Sequence, residues 1–171
     1  GEHLDTAARR QLIEQTGLDE VYLEQLYTFG RPARGVGTLA VAVAYYALVP
    51  TGALAADSVA SGAATAWISA EALTDLRSDH ADIVRLAHRR LASKLAYSTI
   101  ALQLMPERFT LSELQAVNET ILGEPLDKRN FRKRVLALDC IEATGEMARS
   151  GGHRPARLYR AKRPGQVDFI K

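Results

Sequence analysis

Lys128, Arg129, Asn130, Arg132, Lys133 and Arg134, interrupted by Phe131, form the densest run of recognition chemistry in the chain. Guanidinium and amide groups in such a run can read base edges, Arg bridging guanine O6 and N7 and Asn bridging adenine N6 and N7. Phe131, Val135 and Leu138 recur at spacings of four and three, the pattern of a helix with one apolar face. At about 100° per residue that face turns Arg129 and Lys133 almost directly away, with Asn130 and Arg132 on the flanks. Lys128 and Arg134 then lie nearer the packed edge, within reach of phosphates. A second basic cluster, Arg149, His153, Arg154 and Arg157, surrounds the glycines of MARSGGHRPA. Cations there would meet a sugar-phosphate backbone or the adjoining minor groove.

Local signals say how these residues are held. Thr110-Leu-Ser-Glu113 has the spacing of a capping box, in which a hydroxyl and a carboxylate satisfy the first free amides of a helix reciprocally. Leu114, Val117 and Ile121 make the buried stripe of that helix. Gly123-Glu-Pro125 breaks the chain, and Asp127 caps the next helix, residues 128–138. Two helices across a tight glycine turn are the parts of a helix-turn-helix. A strand at Ile141 to Thr144, a glycine-rich tip and a returning strand at Arg157 to Ala161 read as a wing. Residues 127–163 hold 11 Lys/Arg against 4 Asp/Glu, which favours a nucleic-acid partner. A solvated basic surface, or a winged helix that docks a protein, remains open on charge alone.

The rest of the chain reads as mixed strand and helix. Leu4, Ala7, Ala8, Leu12 and Ile13 predict a helix over 2–16, stopped by Gly17 in a left-handed cap. Val21 to Phe29 reads as a strand, and Thr38 to Val49 as a central strand buried on both faces. Residues 50–62 form a loop, Ala64 to Ile68 a further strand containing Trp67, and Ser69 to Leu76 a short helical turn. From Asp82 to Leu95, Ile83, Leu86, Ala87, Leu91 and Leu95 make one apolar stripe, with Arg85, Arg89, Arg90 and Lys94 on the solvated side. A short helical piece from Thr99 to Leu104 ends at Pro106. The change of character places a domain boundary near residue 80. Charge divides in the same region: residues 1–88 hold 6 Lys/Arg against 11 Asp/Glu, and residues 89–171 hold 16 against 9.

Composition excludes several classes. Apolar and charged fractions of 47% and 25% suit an ordinary globular chain of 171 residues, not a disordered or fibrous one. The longest apolar run, Val36 to Val49, is shorter than the roughly 20 residues that span a bilayer, so no membrane partner is expected. The opening Gly-Glu-His-Leu-Asp has neither the basic nor the apolar part of a secretory signal, and a cytoplasmic location is expected. Cys140, the single cysteine, reads as a small core residue between Leu138 and Ile141.

Near the N-terminus, Glu2 is followed after seven positions by RQLIEQTGL, residues 10–18. This resembles the second half of the Nudix signature through Glu2, Arg10, Leu12, Glu14, Gly17 and Leu18. In Nudix hydrolases the core carboxylates of that helix hold divalent cations; the matching positions here are Gln11, Glu14 and Gln15. Two amides in place of carboxylates remove most of the attraction for Mg²⁺, so no catalytic residues and no metal are expected. As a whole the chain is similar to the NrtR family of Nudix-related regulators, above all in LMPERFTLSELQAVNETILGEPLDKRNFRKRVLAL and HRPARLY. The resemblance implies an α+β chain: a partial Nudix-like α/β/α sandwich over 1–79, its N-terminal strands falling before Gly1, then a winged helix-turn-helix domain over 80–171.

The resemblance also implies a homodimeric repressor of genes for NAD synthesis or salvage. Its partner would be double-stranded operator DNA and its effector ADP-ribose or a related NAD-derived nucleotide, with no further cofactor. Arg31, Arg34 and Glu14 are the candidate ligand contacts, while Trp67 reads as core. Arg34-Gly-Val-Gly stands where the family carries an Arg-Asp-Pro-Arg type of stretch, so that pocket has changed or lacks residues. The rival reading is an active Nudix ADP-ribose pyrophosphatase whose basic domain is an accessory.

Overall fold

The structure, a computed structural model, describes residues 1–32, 39–50, 68–69, 78–148 and 155–170. These fall into two compact units, one holding residues 1–32, 39–48, 68–69 and 78–90 and the other 49–50, 91–148 and 155–170. All but the first residue of the predicted loop at 50–62, most of the strand at 64–68, nearly all of the turn at 69–76 and Trp67 lie outside the described residues. Ile68, at the end of that predicted strand, is in no strand and is exposed.

In the first unit, helix α1 (Leu4–Thr16) stops as its sequence requires. Gly17 takes φ 69° and its N–H closes on the Ile13 carbonyl at 2.8 Å. Strands β1 (Tyr22–Pro32) and β2 (Leu39–Leu48) form an antiparallel pair. The register slips between Gln25 and Tyr27, leaving Leu26 as the extra residue of a bulge, and Leu26 is buried with Val21 and Leu48. A bulge turns one side chain off the alternating pattern, which is how β1 aims Leu26 inward. The reading of β2 as a strand buried on both faces is corrected. Among the described residues it pairs with β1 alone, and Val41 is exposed. Burial of both faces needs a layer on each side, which an apolar sequence cannot guarantee.

Helix α2 (Ser78–Tyr97) is longer than the predicted helix, and the division between the units falls within it, after Arg90. Lys94, expected on the solvated side, is instead 7% exposed, and this too is a correction. The last turn of α2 enters the core of the second unit, so residues 94, 95 and 98 are all buried whatever their polarity. No helix among the described residues is long and apolar enough to cross a membrane.

The second unit continues with a 3₁₀ turn (Ile100–Leu104), strand β3 (Phe109–Thr110), helices α3 (Leu111–Leu122) and α4 (Lys128–Ala137), and strands β4 (Ile141–Ala148) and β5 (Ala156–Ala161). The strands form one sheet in the order β3-β5-β4. β3 was not foreseen: Phe109 and Thr110 pair with Tyr159 and Leu158, which ties the start of α3 to the wing. β4 runs to Ala148 where the sequence suggested a stop at Thr144, because pairing with β5 resumes beyond a bulge. The core gathers Ile100, Phe109, Leu114, Phe131 and Val135, with Cys140 at its margin, where burial pushes the thiol pKa up. The C-terminal segment folds back on the end of α2. Ser98 bridges Phe169, Thr99 and Asp168 exchange two hydrogen bonds, and Ile170 N–H donates to the Tyr97 carbonyl at 2.7 Å.

Candidate nucleic-acid interface

The capping box forms as read. Thr110 Oγ1 accepts from Glu113 N–H at 3.2 Å, and Glu113 Oε2 accepts from Thr110 N–H at 2.6 Å. The stripe of α3 is rotated slightly from expectation: Leu111, Leu114, Gln115, Asn118 and Ile121 are buried, and Val117 is only half-buried. Gln115 of that stripe and the half-buried Glu119 one turn on organise the turn, and the sequence reading missed them. Gln115 Nε2 donates to the Leu126 carbonyl at 2.9 Å, and Glu119 Oε1 accepts from Leu126 N–H at 2.8 Å. These donors hold the Glu119 carboxyl below its ordinary pKa, the Leu126 N–H first and the Gln115 amide second. With Gly123 in a left-handed cap at φ 72°, the connection between the helices is determined at both ends. The i, i+4 spacing of Gln115 and Glu119 was the sequence signal for this pair.

Asp127 caps α4 by accepting from Asn130 N–H at 2.8 Å. Phe131 and Val135 are 5% and 6% exposed, which sets the rotation of the helix. Lys128, Arg129, Asn130, Arg132, Lys133 and Arg134 are then all exposed. Within that set the structure distinguishes roles. Lys128, Arg129 and Lys133 make no ion pair or side-chain hydrogen bond among the described residues, whereas Arg132 approaches Ser112 Oγ at 3.5 Å. Arg134 points back and donates to the Leu95 carbonyl at 3.2 Å, in the last turn of α2.

Lys128 and Arg132 line a groove of about 750 Å³. The N-terminal turn of α3, with the capping carboxylate of Glu113, and Ala148, Ala156 and Arg157 of the hairpin line it too. Arg157 is exposed and faces this groove without an ion pair among the described residues. Arg149, His153 and Arg154 lie outside the described residues. The other cations around the hairpin are neutralised: Arg160 pairs with Glu142 at 2.7 Å, Lys162 with Asp139 at 2.6 Å and Arg163 with Asp168 at 2.6 Å. Among the described residues of this unit, free positive charge is therefore concentrated at the groove and along the outer face of α4. The arrangement offers cations and amides to a ligand that is long and negatively charged.

The Nudix-like positions on α1 are gathered into a closed charge cluster. Arg10 lies between Glu2, at 3.0 Å, and Glu14, at 3.1 Å, and Gln11 Nε2 donates to Glu14 Oε2 at 3.0 Å. The Arg10 guanidinium lowers the Glu2 pKa, and both carboxylates raise that of Arg10. Glu14 thus accepts at both oxygens from a cation and an amide, and Gln15 is an exposed amide. Among the described residues there is no group of three His, Cys, Asp or Glu that could hold a metal ion. Arg31 pairs through its backbone with Ala40 in the β1–β2 ladder, and Arg34 lies outside the described residues.

Residues 101–161 match the family model of the NrtR DNA-binding winged helix domain. The chain is 37% identical over 161 residues to the ADPR responsive transcriptional repressor NtrR of Acinetobacter baylyi, covering 93% of this chain and 64% of that protein. It therefore spans a little under two thirds of that relative's length. The crystal structure of Shewanella oneidensis NrtR complexed with a 27mer DNA matches with a TM-score of 0.83 at 34% identity, covering 95% of this chain and 74% of that one. A second crystal structure of Shewanella oneidensis NrtR matches with a TM-score of 0.81 at 36% identity and the same coverage. Agreement in fold and in more than a third of the residues, carried along nearly the whole chain and reinforced by the match over its helix–helix–hairpin segment, means that this chain belongs to the NrtR family.

Proposed function

We propose that the chain is a ligand-responsive transcriptional repressor of NAD synthesis or salvage genes, in which residues 80–171 bind double-stranded operator DNA and residues 1–79 form a Nudix-like sensor. The observation that carries this reading is a set of cations, Lys128, Arg129 and Lys133, free among the described residues. Arg129 and Lys133 lie on the side of α4 opposite Phe131, and Lys128, nearer the packed edge, lines a groove that Arg157 also faces. Arg129 and Asn130 are assigned to base edges, and Lys128, Arg132, Lys133 and Arg157 to phosphates. Arg149, His153 and Arg154 extend the phosphate contacts by sequence position. With about five phosphates neutralised per protomer, log K should fall with log salt at a slope near −4 to −5.

The effector assigned to the sensor is ADP-ribose or a related nucleotide, following the name of the Acinetobacter baylyi relative. The closed Glu2–Arg10–Glu14 cluster supports sensing over hydrolysis, since a cation would have to displace an arginine to reach Glu14. Arg31, Arg34 and Glu14 are proposed ligand contacts, and the regulator is proposed to act as a homodimer on a two-fold operator. The test is a gel shift of the full chain on the DNA upstream of its own gene, with and without ADP-ribose. A salt-sensitive shift that ADP-ribose changes is the expected result. Failure to shift any fragment at low salt, or steady-state turnover of ADP-ribose with Mg²⁺, would overturn it.

A further inference from the structure

The hairpin is not one continuous ladder. β4 pairs with β5 from Ile141↔Ala161 to Ala143↔Tyr159, and again from Met147↔Arg157 to Ala148↔Ala156. Between these stretches Thr144, Gly145 and Glu146 stand against Leu158 alone. Gly145 takes φ 83°, a conformation other residues rarely adopt, and Thr144 Oγ1 both donates to the Leu158 carbonyl and accepts from Glu146 N–H, each at 3.2 Å. Bulges of this kind bend a strand and re-aim the residues beyond them. The outer part of the hairpin is joined to the body through β5, which is unbroken and carries Arg157, and through that bend in β4, whose far side pairs Met147 with Arg157.

Beside the backbone pairing of Thr110 with Leu158, a side-chain contact crosses to the bend from outside the hairpin. Arg108, directly before β3, reaches both carboxylate oxygens of Glu146 through Nη1, at 2.7 and 3.0 Å. Both side chains are 52% exposed, so the pair adds little to the stability of the fold. Its place is informative. Ala148, two residues beyond Glu146, already lines the groove, and an anion beside a groove offered to phosphates works against their binding, so its place there points to another use.

We propose that Arg108 and Glu146 form a strap that sets the pitch of the wing, a positioning pair that holds Arg157 facing the groove without touching DNA. The inference rests on the reading of the groove as a DNA interface. Glu146→Ala separates it from simple electrostatics, because the two predict opposite signs. Loss of an anion near DNA should tighten binding, whereas loss of the strap should weaken it.

The experiment measures fluorescence anisotropy of the 171-residue chain and its variants on a labelled mixed-sequence duplex of about 30 base pairs in ~50 mM salt. Glu146→Ala and Arg108→Ala should each bind about two- to fivefold more weakly, the range an exposed ion pair can supply. The exchanged pair, Arg108→Glu with Glu146→Arg, keeps the total charge and should return to within about twofold of the parent, a rescue that an indirect loss of folding would not give. Circular dichroism melts check that each variant folds. Glu146→Ala binding as tightly as the parent or more tightly overturns the strap, as does a folded exchanged pair that stays weak. A parent chain that shifts no duplex refutes the DNA reading itself, and the strap falls with it.

Discussion

Two arginines on α4 should respond to truncation in opposite ways. Arg129 is exposed and free among the described residues, whereas Arg134 donates to the Leu95 carbonyl at 3.2 Å. That carbonyl lies in the last turn of α2, where helix carbonyls lack intrahelical partners and the macrodipole favours a cation. A hydrogen bond from a charged donor is worth ~1.5–3 kcal/mol when buried. Discounted for the exposure of Arg134, about 1 kcal/mol remains, or a fall in melting temperature of roughly 4–8 °C for a unit of this size. Arg134→Ala should therefore melt earlier and bind DNA with an unchanged salt slope. Arg129→Ala should keep its melting temperature. It should lose either about 0.9 of salt slope, as a phosphate contact, or about 1–3 kcal/mol of discrimination at one base, as a base contact. The assay pairs anisotropy titrations over a range of salt with thermal melts of the same samples. If Arg134→Ala lowered the salt slope as Arg129→Ala does, with its melting temperature unchanged, the division of roles drawn from the Leu95 contact would be refuted.

Thr110→Ala removes one half of the capping box and should cost ~1 kcal/mol in a denaturant melt, while Thr110→Ser should cost little. Glu119, with its pKa held below the ordinary value of 4.5 by the Leu126 and Gln115 donors, stabilises the turn above that pH. The contribution is lost as pH falls through the lowered value, so an acid melt of Glu119→Gln should show a shallower dependence below pH ~4.5 than the parent. Glu14→Gln, at a proposed ligand contact, should weaken the effect of ADP-ribose on DNA binding in the same anisotropy assay; a steady release of AMP from ADP-ribose that this change abolished would restore the hydrolase reading.

Short-range physics made much of this protein legible from its residues alone. A hydroxyl three positions before a carboxylate determined where α3 begins, Gly17 and Gly123 where α1 and α3 end, and Asp127 where α4 starts, because each cap is settled by groups within one helical turn. The outward face of α4 followed from Phe131 and Val135 by periodicity. Features that depended on partners distant in the chain were decided only by tertiary structure. The pairing of β3 with β5, the extension of β4 past its bulge, the return of residues 168–170 to the end of α2 and the reach of Arg108 to Glu146 all join segments with no local signal for one another. Burial was decided the same way. Lys94 went inside and Val41 stayed out, because a side chain's exposure is set by whatever packs over it, and that neighbour is chosen by the fold.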